Sequence, residues 1–155
     1  MLDGKRLLLV EDDLLIVETI RDMVEEVGGE LAASAPTISE ARRLVKSGAT
    51  FDVALIDVNL ADGEATPLLE GLQARGIPVV VYTGGVVPAA LQERHPGLRV
   101  LRKPVIRARL IAELRAAAGR VATMTRSKDA LAPSAEARSL AGNNTVLSRV
   151  LPGIG

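Results

Sequence analysis

The sequence predicts an α/β fold in which helices cover both faces of a parallel sheet of five strands. Five short apolar runs alternate with five segments that have apolar residues at helical spacing. The run Val53–Ile56 is apolar at consecutive positions, which is typical of a strand buried on both faces. Three runs end in acidic or hydroxyl residues, at the point where open α/β sheets form their ligand sites. We therefore expect a doubly wound sheet of order 2-1-3-4-5.

The strands follow from local composition, taken from first to last. They are predicted at residues 5–10, 30–35, 53–58, 79–82 and 98–102. The alanine-rich second strand has the weakest signal, whereas Leu, Val, Ile and Ala dominate the first, third and fourth. Pro104 can only follow the fifth strand, because proline lacks the backbone donor that a sheet needs.

The first two helices have apolar residues three and four positions apart. The first is predicted over residues 14–27, and Gly28 ends it. The second begins at a hydroxyl residue, Thr37 or Ser39, and ends at Gly48. Either hydroxyl could cap it, because both can accept a hydrogen bond from a free backbone N–H of the first turn.

The last three helices each follow a strand. The third is predicted over residues 66–75, after a turn at Asp62 and Gly63. A short fourth helix covers residues 88–94. The fifth covers residues 105–119, and its apolar face consists of Ile106, Leu110, Ile111, Leu114 and Ala118.

The composition excludes several classes of function. Aromatic residues make up 1% of the 155-residue chain, so a surface that stacks nucleic-acid bases is not expected. The formal net charge of +0 gives no electrostatic signal for DNA or an anionic membrane, and without cysteine there is no disulfide or thiolate metal site. No apolar run approaches the roughly 20 residues of a membrane span. We expect a cytoplasmic protein that binds neither nucleic acid nor membrane.

The chain divides into a folded domain and a C-terminal extension. Residues 1–120 contain the alternating pattern, and the 48% hydrophobic content of the whole chain is enough to pack the core of such a domain. Residues 121–155 have little periodicity and contain breakers such as Pro133 and Gly142. We expect this segment to be a mobile tail, or a short segment that docks on a partner or on a second copy of the chain.

Charged and polar residues at the strand ends form the candidate site. They are Glu11, Asp12, Asp57, Thr83 and Lys103. Strands one and three are neighbours in the expected order, so the three acids should crowd together, and carboxylates about 4 Å apart repel by roughly 4 kcal/mol. Such a cluster must protonate or recruit a cation. Its oxygen donors suit Mg²⁺, and the lysine adds a second positive charge.

This combination suits phosphoryl transfer. A phosphoryl group brings negative charge that spreads over its oxygens in the transition state, and a metal ion and a lysine neutralise that charge. One carboxylate, held but not fully engaged, can attack phosphorus and form an acyl phosphate. Asp57, at the end of the buried third strand, is one of these carboxylates.

Four strings stand at the strand ends in a fixed order. They are Leu8-Leu9-Val10-Glu11-Asp12-Asp13, Leu55-Ile56-Asp57-Val58-Asn59-Leu60, Tyr82-Thr83-Gly84 and Lys103-Pro104. Together they resemble the receiver domain of two-component response regulators, over about residues 4–119. The resemblance implies a doubly wound fold of the flavodoxin-like class.

The resemblance also implies a metal site and a phosphoacceptor. Asp57 would be phosphorylated by a histidine kinase or a histidine phosphotransfer protein. Glu11 and Asp12 would bind Mg²⁺ together with Asp57, and the backbone carbonyl of Asn59 would complete the protein ligands.

Two further matched residues would serve the phosphoryl group. Thr83 would hydrogen-bond the phosphoryl oxygens and move with them. Lys103 would pair with the phosphoryl group, and its bond to Pro104 would be cis.

The chain departs from the common receiver pattern in two places. Val100 stands three residues before the lysine, where many receivers carry a Phe or Tyr that swings inward on phosphorylation. Gly84 follows the threonine, where alanine is common. This second departure resembles the receiver branch named for its Phe-Ala-Thr-Gly motif, whose members are linked to HWE-type histidine kinases, although Tyr82 replaces the alanine of that motif.

The resulting hypothesis is a single-domain response regulator, monomeric or weakly dimeric. It would signal by protein–protein binding or act as a phosphate shuttle or sink, with no enzymatic chemistry beyond its own phosphorylation and dephosphorylation. Two alternatives stay open at this point. One is a Mg²⁺-dependent phosphohydrolase with an aspartyl-phosphate intermediate, and the other is a receiver-like scaffold that is never phosphorylated.

Overall fold

The computed structural model of the chain describes residues 2–60 and 65–131, with side chains described up to residue 119. The predicted turn at Asp62 and Gly63 and most of the predicted tail lie outside the described residues. Backbone contacts divide the chain into two units, Met1–Gly119 and Arg120–Gly155. No helix among the described residues is both long enough and apolar enough to cross a lipid bilayer.

Five parallel strands form one sheet, and their order β2-β1-β3-β4-β5 confirms the predicted fold class and topology. The strands are β1 (Arg6–Val10), β2 (Glu30–Ala35), β3 (Val53–Ile56), β4 (Val79–Thr83) and β5 (Arg99–Arg102). The chain moves outward to β2 and then returns past β1 to β3. This reversal places the carboxyl ends of β1 and β3 side by side, where doubly wound sheets bind their ligands.

Within residues 2–60 and 65–131, five helices connect and follow the strands. They are α1 (Leu14–Glu26), α2 (Ile38–Lys46), α3 (Thr66–Ala74), α4 (Ala89–Arg94) and α5 (Arg107–Leu131). Of the two candidate caps of α2, Thr37 is the N-cap, and its hydroxyl accepts a hydrogen bond from the Glu40 backbone N–H at 3.1 Å. A cap of this kind typically contributes about 1 kcal/mol to the stability of a helix.

The predicted end of the fifth helix at Gly119 is wrong, because α5 continues to Leu131. A single glycine costs a helix only about 1 kcal/mol relative to alanine, so it does not end one. No proline or further glycine follows before Pro133. Ile106, predicted on the apolar face of this helix, precedes α5 and is 72% exposed.

Two apolar layers cover the sheet, because successive side chains of each strand point to opposite faces. On one face Leu8, Ala54 and Val81 pack with α2, α3 and α4. On the other face Leu9 and Tyr82 belong to the layer that packs with α1 and α5. This two-sided burial fixes the register of the strands, and the register determines which residues meet at the carboxyl edge.

Candidate functional site

The candidate site is held by backbone hydrogen bonds that continue the sheet beyond its strands. The Asp57 N–H donates to the Val10 carbonyl at 3.0 Å, and the Lys103 N–H donates to the Thr83 carbonyl at the same distance. The Glu11 N–H likewise donates to Ala35 at 3.0 Å. The main chains of these residues are therefore fixed at one edge, and their side chains share one small volume.

Lys103 lies at the centre of this volume, and its peptide bond to Pro104 is cis, as the resemblance implies. Its Nζ donates to Glu11 Oε1 and to Asp57 Oδ2, each at 2.9 Å. The Glu11 and Asp57 side chains are only 1% and 10% exposed. Buried carboxylates are costly unless they are paired, so the ammonium is what allows both to remain here. The single positive charge of Lys103 balances one of the two carboxylate charges, and the other negative charge remains uncompensated.

The environment shifts the pKa values of both partners of this ion pair. Burial raises the pKa of Glu11 above its ordinary value, although hydrogen bonds from Lys103 and from the Asp13 backbone oppose the shift. Burial acts to lower the pKa of Lys103, but hydrogen bonds to Asp57 and Glu11 outweigh it and raise the pKa above its usual range. The lysine is therefore a fixed positive charge at physiological pH.

Asn59 connects the acid to the hydroxyl residue. Its backbone N–H donates to Asp57 Oδ1 at 2.9 Å, and its side-chain Nδ2 donates to Thr83 Oγ1. The same hydroxyl oxygen accepts from the Gly85 N–H at 3.2 Å. The sequence indicates Asn59 only for its backbone carbonyl. The contact of its side chain with the fully buried Thr83 is a feature that the sequence does not reveal.

Two adjacent glycines border this contact and differ in the space around them. A Cβ atom added to Gly85 would lie 2.8 Å from Asn59 Nδ2 and 3.2 Å from its Cγ, so the asparagine amide fills the space that a side chain would need. A Cβ atom added to Gly84 would lie 3.8 Å from Lys103 Cβ and Cδ, which is an ordinary contact. A side chain at position 85 would therefore require the Asn59 amide to shift, whereas position 84 has room for one.

Asp12 is placed differently from the other predicted acids. It is exposed, whereas Glu11 is turned inward and its Oε2 accepts from the Asp13 N–H at 3.1 Å. Asp13 caps α1 by accepting from the Leu15 N–H at 2.9 Å, as its position before the helix suggests. Among the described residues, no three acidic or histidine side chains lie close enough together to hold a metal ion.

The types of ligand atom at the site, carboxylate and carbonyl oxygens, still suit magnesium. Mg²⁺ commonly takes one or two protein carboxylates and fills its other positions with water and phosphate oxygens. Glu11 and Asp57 are two such carboxylates, they retain one uncompensated negative charge, and the Asn59 carbonyl follows the second of them in the chain.

Tyr82 is a second feature that the sequence does not reveal. It lies beside Thr83 on β4 but on the opposite face of the sheet, and Lys103 Nζ is 4.7 Å from the centre of its ring. A groove of about 460 Å³ runs from this ring between α1 and the segment after β5, and its walls include Ile16, Met23 and Val105. The only signal in the sequence is an aromatic residue where the resembled motif has alanine.

Comparison with solved structures shows which proteins this arrangement is similar to. A CheY-like response regulator receiver domain from Methanospirillum hungatei JF-1 superposes with a TM-score of 0.69 at 25% identity, covering 79% of this chain and 99% of that one. SdrG from Sphingomonas melonis Fr1, at 32% identity and a TM-score of 0.62, covers 74% of this chain and 96% of its own. A response regulator receiver protein from Sinorhizobium medicae WSM419 shares the fold at 19% identity and a TM-score of 0.67, over 78% and 99%. No family model and no curated protein sequence matches the chain.

Proposed function

The chain belongs to the receiver-domain family of two-component response regulators, and from that premise we propose that it accepts a phosphoryl group on Asp57. The observation that carries this proposal is the position of Lys103, whose ammonium contacts the Asp57 carboxylate and the buried Glu11 together. A cation held at the nucleophile can neutralise the charge of an incoming phosphoryl group without reorganising.

In the proposed reaction, an oxygen of Asp57 attacks phosphorus and forms a P–O bond. The P–N bond to a histidine of the donor breaks, and the imidazole leaves with its electron pair and takes up a proton. The Lys103 ammonium moves from the Asp57 carboxylate, which it contacts before the reaction, to the phosphoryl oxygens. The Thr83 hydroxyl, which accepts from Asn59 in this structure, then donates to a phosphoryl oxygen. Mg²⁺ bound at Glu11, Asp12, Asp57 and the Asn59 carbonyl would add charge neutralisation.

The donor is proposed to be a histidine kinase or a histidine phosphotransfer protein, as for other receivers. The Thr83-Gly84-Gly85 string favours a kinase of the HWE type through the Phe-Ala-Thr-Gly branch. The rotation of Thr83 toward the phosphoryl group would release Asn59 and shift the connection from Gly84 to Val87. That connection leads into α4, so the surface around α4 and β5 would change and bind a downstream protein, or the chain would pass phosphate on as a shuttle or sink.

The proposal is tested by mass spectrometry after incubation with Mg²⁺ and a small phosphodonor such as acetyl phosphate. We expect wild type to gain one phosphoryl mass and Asp57→Ala to gain none. Asp22→Ala, which removes an exposed carboxylate from α1, is the matched control and should be labelled like wild type. An undiminished adduct in Asp57→Ala would remove Asp57 from its proposed role.

A second candidate is a receiver-like scaffold that is never phosphorylated. One observation favours it: Asp12 is exposed, and among the described residues no three acidic or histidine side chains lie close enough together to hold a metal ion. Beryllofluoride with Mg²⁺ mimics an acyl phosphate on the acceptor and separates the two candidates. A rise in melting temperature that depends on Asp57 supports phosphorylation, whereas a flat response in wild type supports the scaffold.

A further inference from the structure

An aromatic residue at position 82 is required neither by the packing of the core nor by the proposed chemistry. The chain contains one tyrosine, one phenylalanine and no tryptophan, so aromatic rings are rare in it. Phe51 packs in the layer on the opposite side of the sheet. The single tyrosine is therefore the only aromatic residue of its layer, and it lies against the one lysine of the candidate site.

Strand register brings the ring to the lysine. Tyr82 pairs with Leu101 and Thr83 pairs with Arg102, and the Lys103 N–H then donates to the Thr83 carbonyl at 3.0 Å. The backbone of Lys103 is thus fixed one step beyond its neighbour on β4. Its side chain runs back over the ring, and Nζ lies 4.7 Å from the ring centre. This separation is within the range of a favourable cation–π contact.

The contact restricts a side chain that is otherwise flexible. A lysine has a four-carbon stem with many rotamers, and ordering it costs conformational entropy. Glu11 and Asp57 hold the ammonium through two oxygens, and the ring supplies a third surface with negative potential. The phenol is uncharged at physiological pH, and burial raises the pKa of Tyr82 further, to about 12.

We propose that Tyr82 is a positioning residue, whose ring keeps the Lys103 ammonium between Glu11 and Asp57 and on the path of the incoming phosphoryl group. This inference rests on the proposed phosphorylation of Asp57. It assigns to β4 an aromatic residue that acts through the lysine, in a receiver that has Val100 where many others carry their aromatic residue on β5. A leucine at position 82 would fill similar space but offer no ring face to the cation.

The test compares initial rates of phosphorylation by acetyl phosphate in a set of variants. Tyr82→Leu should be about three- to tenfold slower than wild type, the range expected of a partly desolvated cation–π contact. Tyr82→Phe keeps the ring face and should be phosphorylated at the wild-type rate. Val80→Ala removes packing from the same strand and face, two residues before Tyr82, and is the matched control that should not slow the reaction. Added to Lys103→Met, Tyr82→Leu should cause no further loss.

Three outcomes overturn the inference. They are a wild-type rate in Tyr82→Leu, an equal loss in Val80→Ala, and an undiminished effect of Tyr82→Leu in the Lys103→Met background. A second measurement uses the resting protein and does not depend on phosphorylation. The ring should shift the ε-methylene proton resonances of Lys103 upfield in wild type and in Tyr82→Phe, but not in Tyr82→Leu.

This second measurement separates the inference from the proposed function. If wild type takes up no phosphoryl group, the proposed function fails. In that case the ε-methylene resonances of Lys103 are the only test of the positioning role of Tyr82. A difference between Tyr82→Leu and wild type supports it, and identical resonances overturn it.

Discussion

Tyr82 is the only tyrosine of a chain without tryptophan, so its phenol can be titrated in the intact protein by absorbance. Burial is the largest influence on this group and raises its pKa to about 12. The charge of Lys103 opposes the shift, while Glu11 and Asp57 add to it. The midpoint of the titration thus reports the charges around the ring as well as its burial.

We predict a tyrosinate midpoint near pH 12 in the folded protein and near the ordinary value of about 10 in denaturant. Because the folded state holds its proton more tightly, this group contributes stability that is complete below pH 10 and is lost as the pH rises through 12. Circular dichroism at each pH is the control that the chain remains folded. A folded-state midpoint near 10 would contradict the burial of the phenol.

At the scale of elements, the connection between β4 and α4 contains two adjacent glycines, Gly84 and Gly85, that differ in the space around them. The φ angles of Gly84 and Gly85 do not lie in the left-handed region, so alanine is compatible with the backbone at both positions. Replacing such a glycine stabilises a protein by about 0.4–1 kcal/mol, because the unfolded chain loses freedom. Any difference between the two positions therefore reports what the new methyl group meets.

Gly84→Ala should leave the free energy of unfolding unchanged or raise it slightly, since its methyl meets Lys103 at an ordinary distance. Gly85→Ala should lower it by about 1–3 kcal/mol, because the methyl group displaces the Asn59 amide. Denaturant titration measures both values, and each variant serves as the control for the other. The side-chain amide resonances of Asn59 should move in Gly85→Ala alone. Equal stability of the two variants would mean that Asn59 does not lie over Gly85.

The elements also show where local patterns are sufficient and where they are not. The sequence predicts the strands within about two residues, because a short run of consecutive apolar residues between two turns is typical of a buried strand. The predicted end of α5 is wrong because one glycine is a weak signal, and sequence alone does not say how many residues beyond it remain helical. The contacts of Asn59 with Thr83 and of Tyr82 with Lys103 depend on how neighbouring strands align, which no local pattern encodes.

At the scale of the whole molecule, topology explains why distant residues can be expected to meet. When strands and helices alternate, right-handed crossovers connect the strands into a parallel sheet. The carboxyl ends of all the strands then lie at one edge of that sheet. Glu11, Asp57 and Lys103 are brought together in this way. The sequence predicts Asp12 in the same cluster, and in the structure its side chain is exposed. Asp12 lies at a bend after β1 has ended, where the alternation of a strand no longer determines the direction of a side chain.

The shared edge also links the stability of the whole fold to the cation at the site. Without Lys103, the buried carboxylates of Glu11 and Asp57 would face each other uncompensated. Removing one partner of a buried ion pair typically costs about 3–5 kcal/mol, and the 22% exposure of the lysine side chain reduces this value. We expect Lys103→Met in EDTA to lose roughly 2–3 kcal/mol of unfolding free energy.

Mg²⁺ should reverse part of that loss, because an ion that binds only the folded state stabilises it by mass action. The gain on adding Mg²⁺ should be larger in Lys103→Met than in wild type, where the ammonium and the metal ion compete for the same two carboxylates. Denaturant titrations with EDTA and with millimolar Mg²⁺ measure the four values that this comparison needs. Lys5→Met, which replaces a lysine at the opposite edge of the sheet, is the control and should respond to Mg²⁺ like wild type. If Mg²⁺ leaves Lys103→Met unchanged, Glu11 and Asp57 do not bind the ion, and the charge balance proposed for phosphoryl transfer must come from the lysine alone.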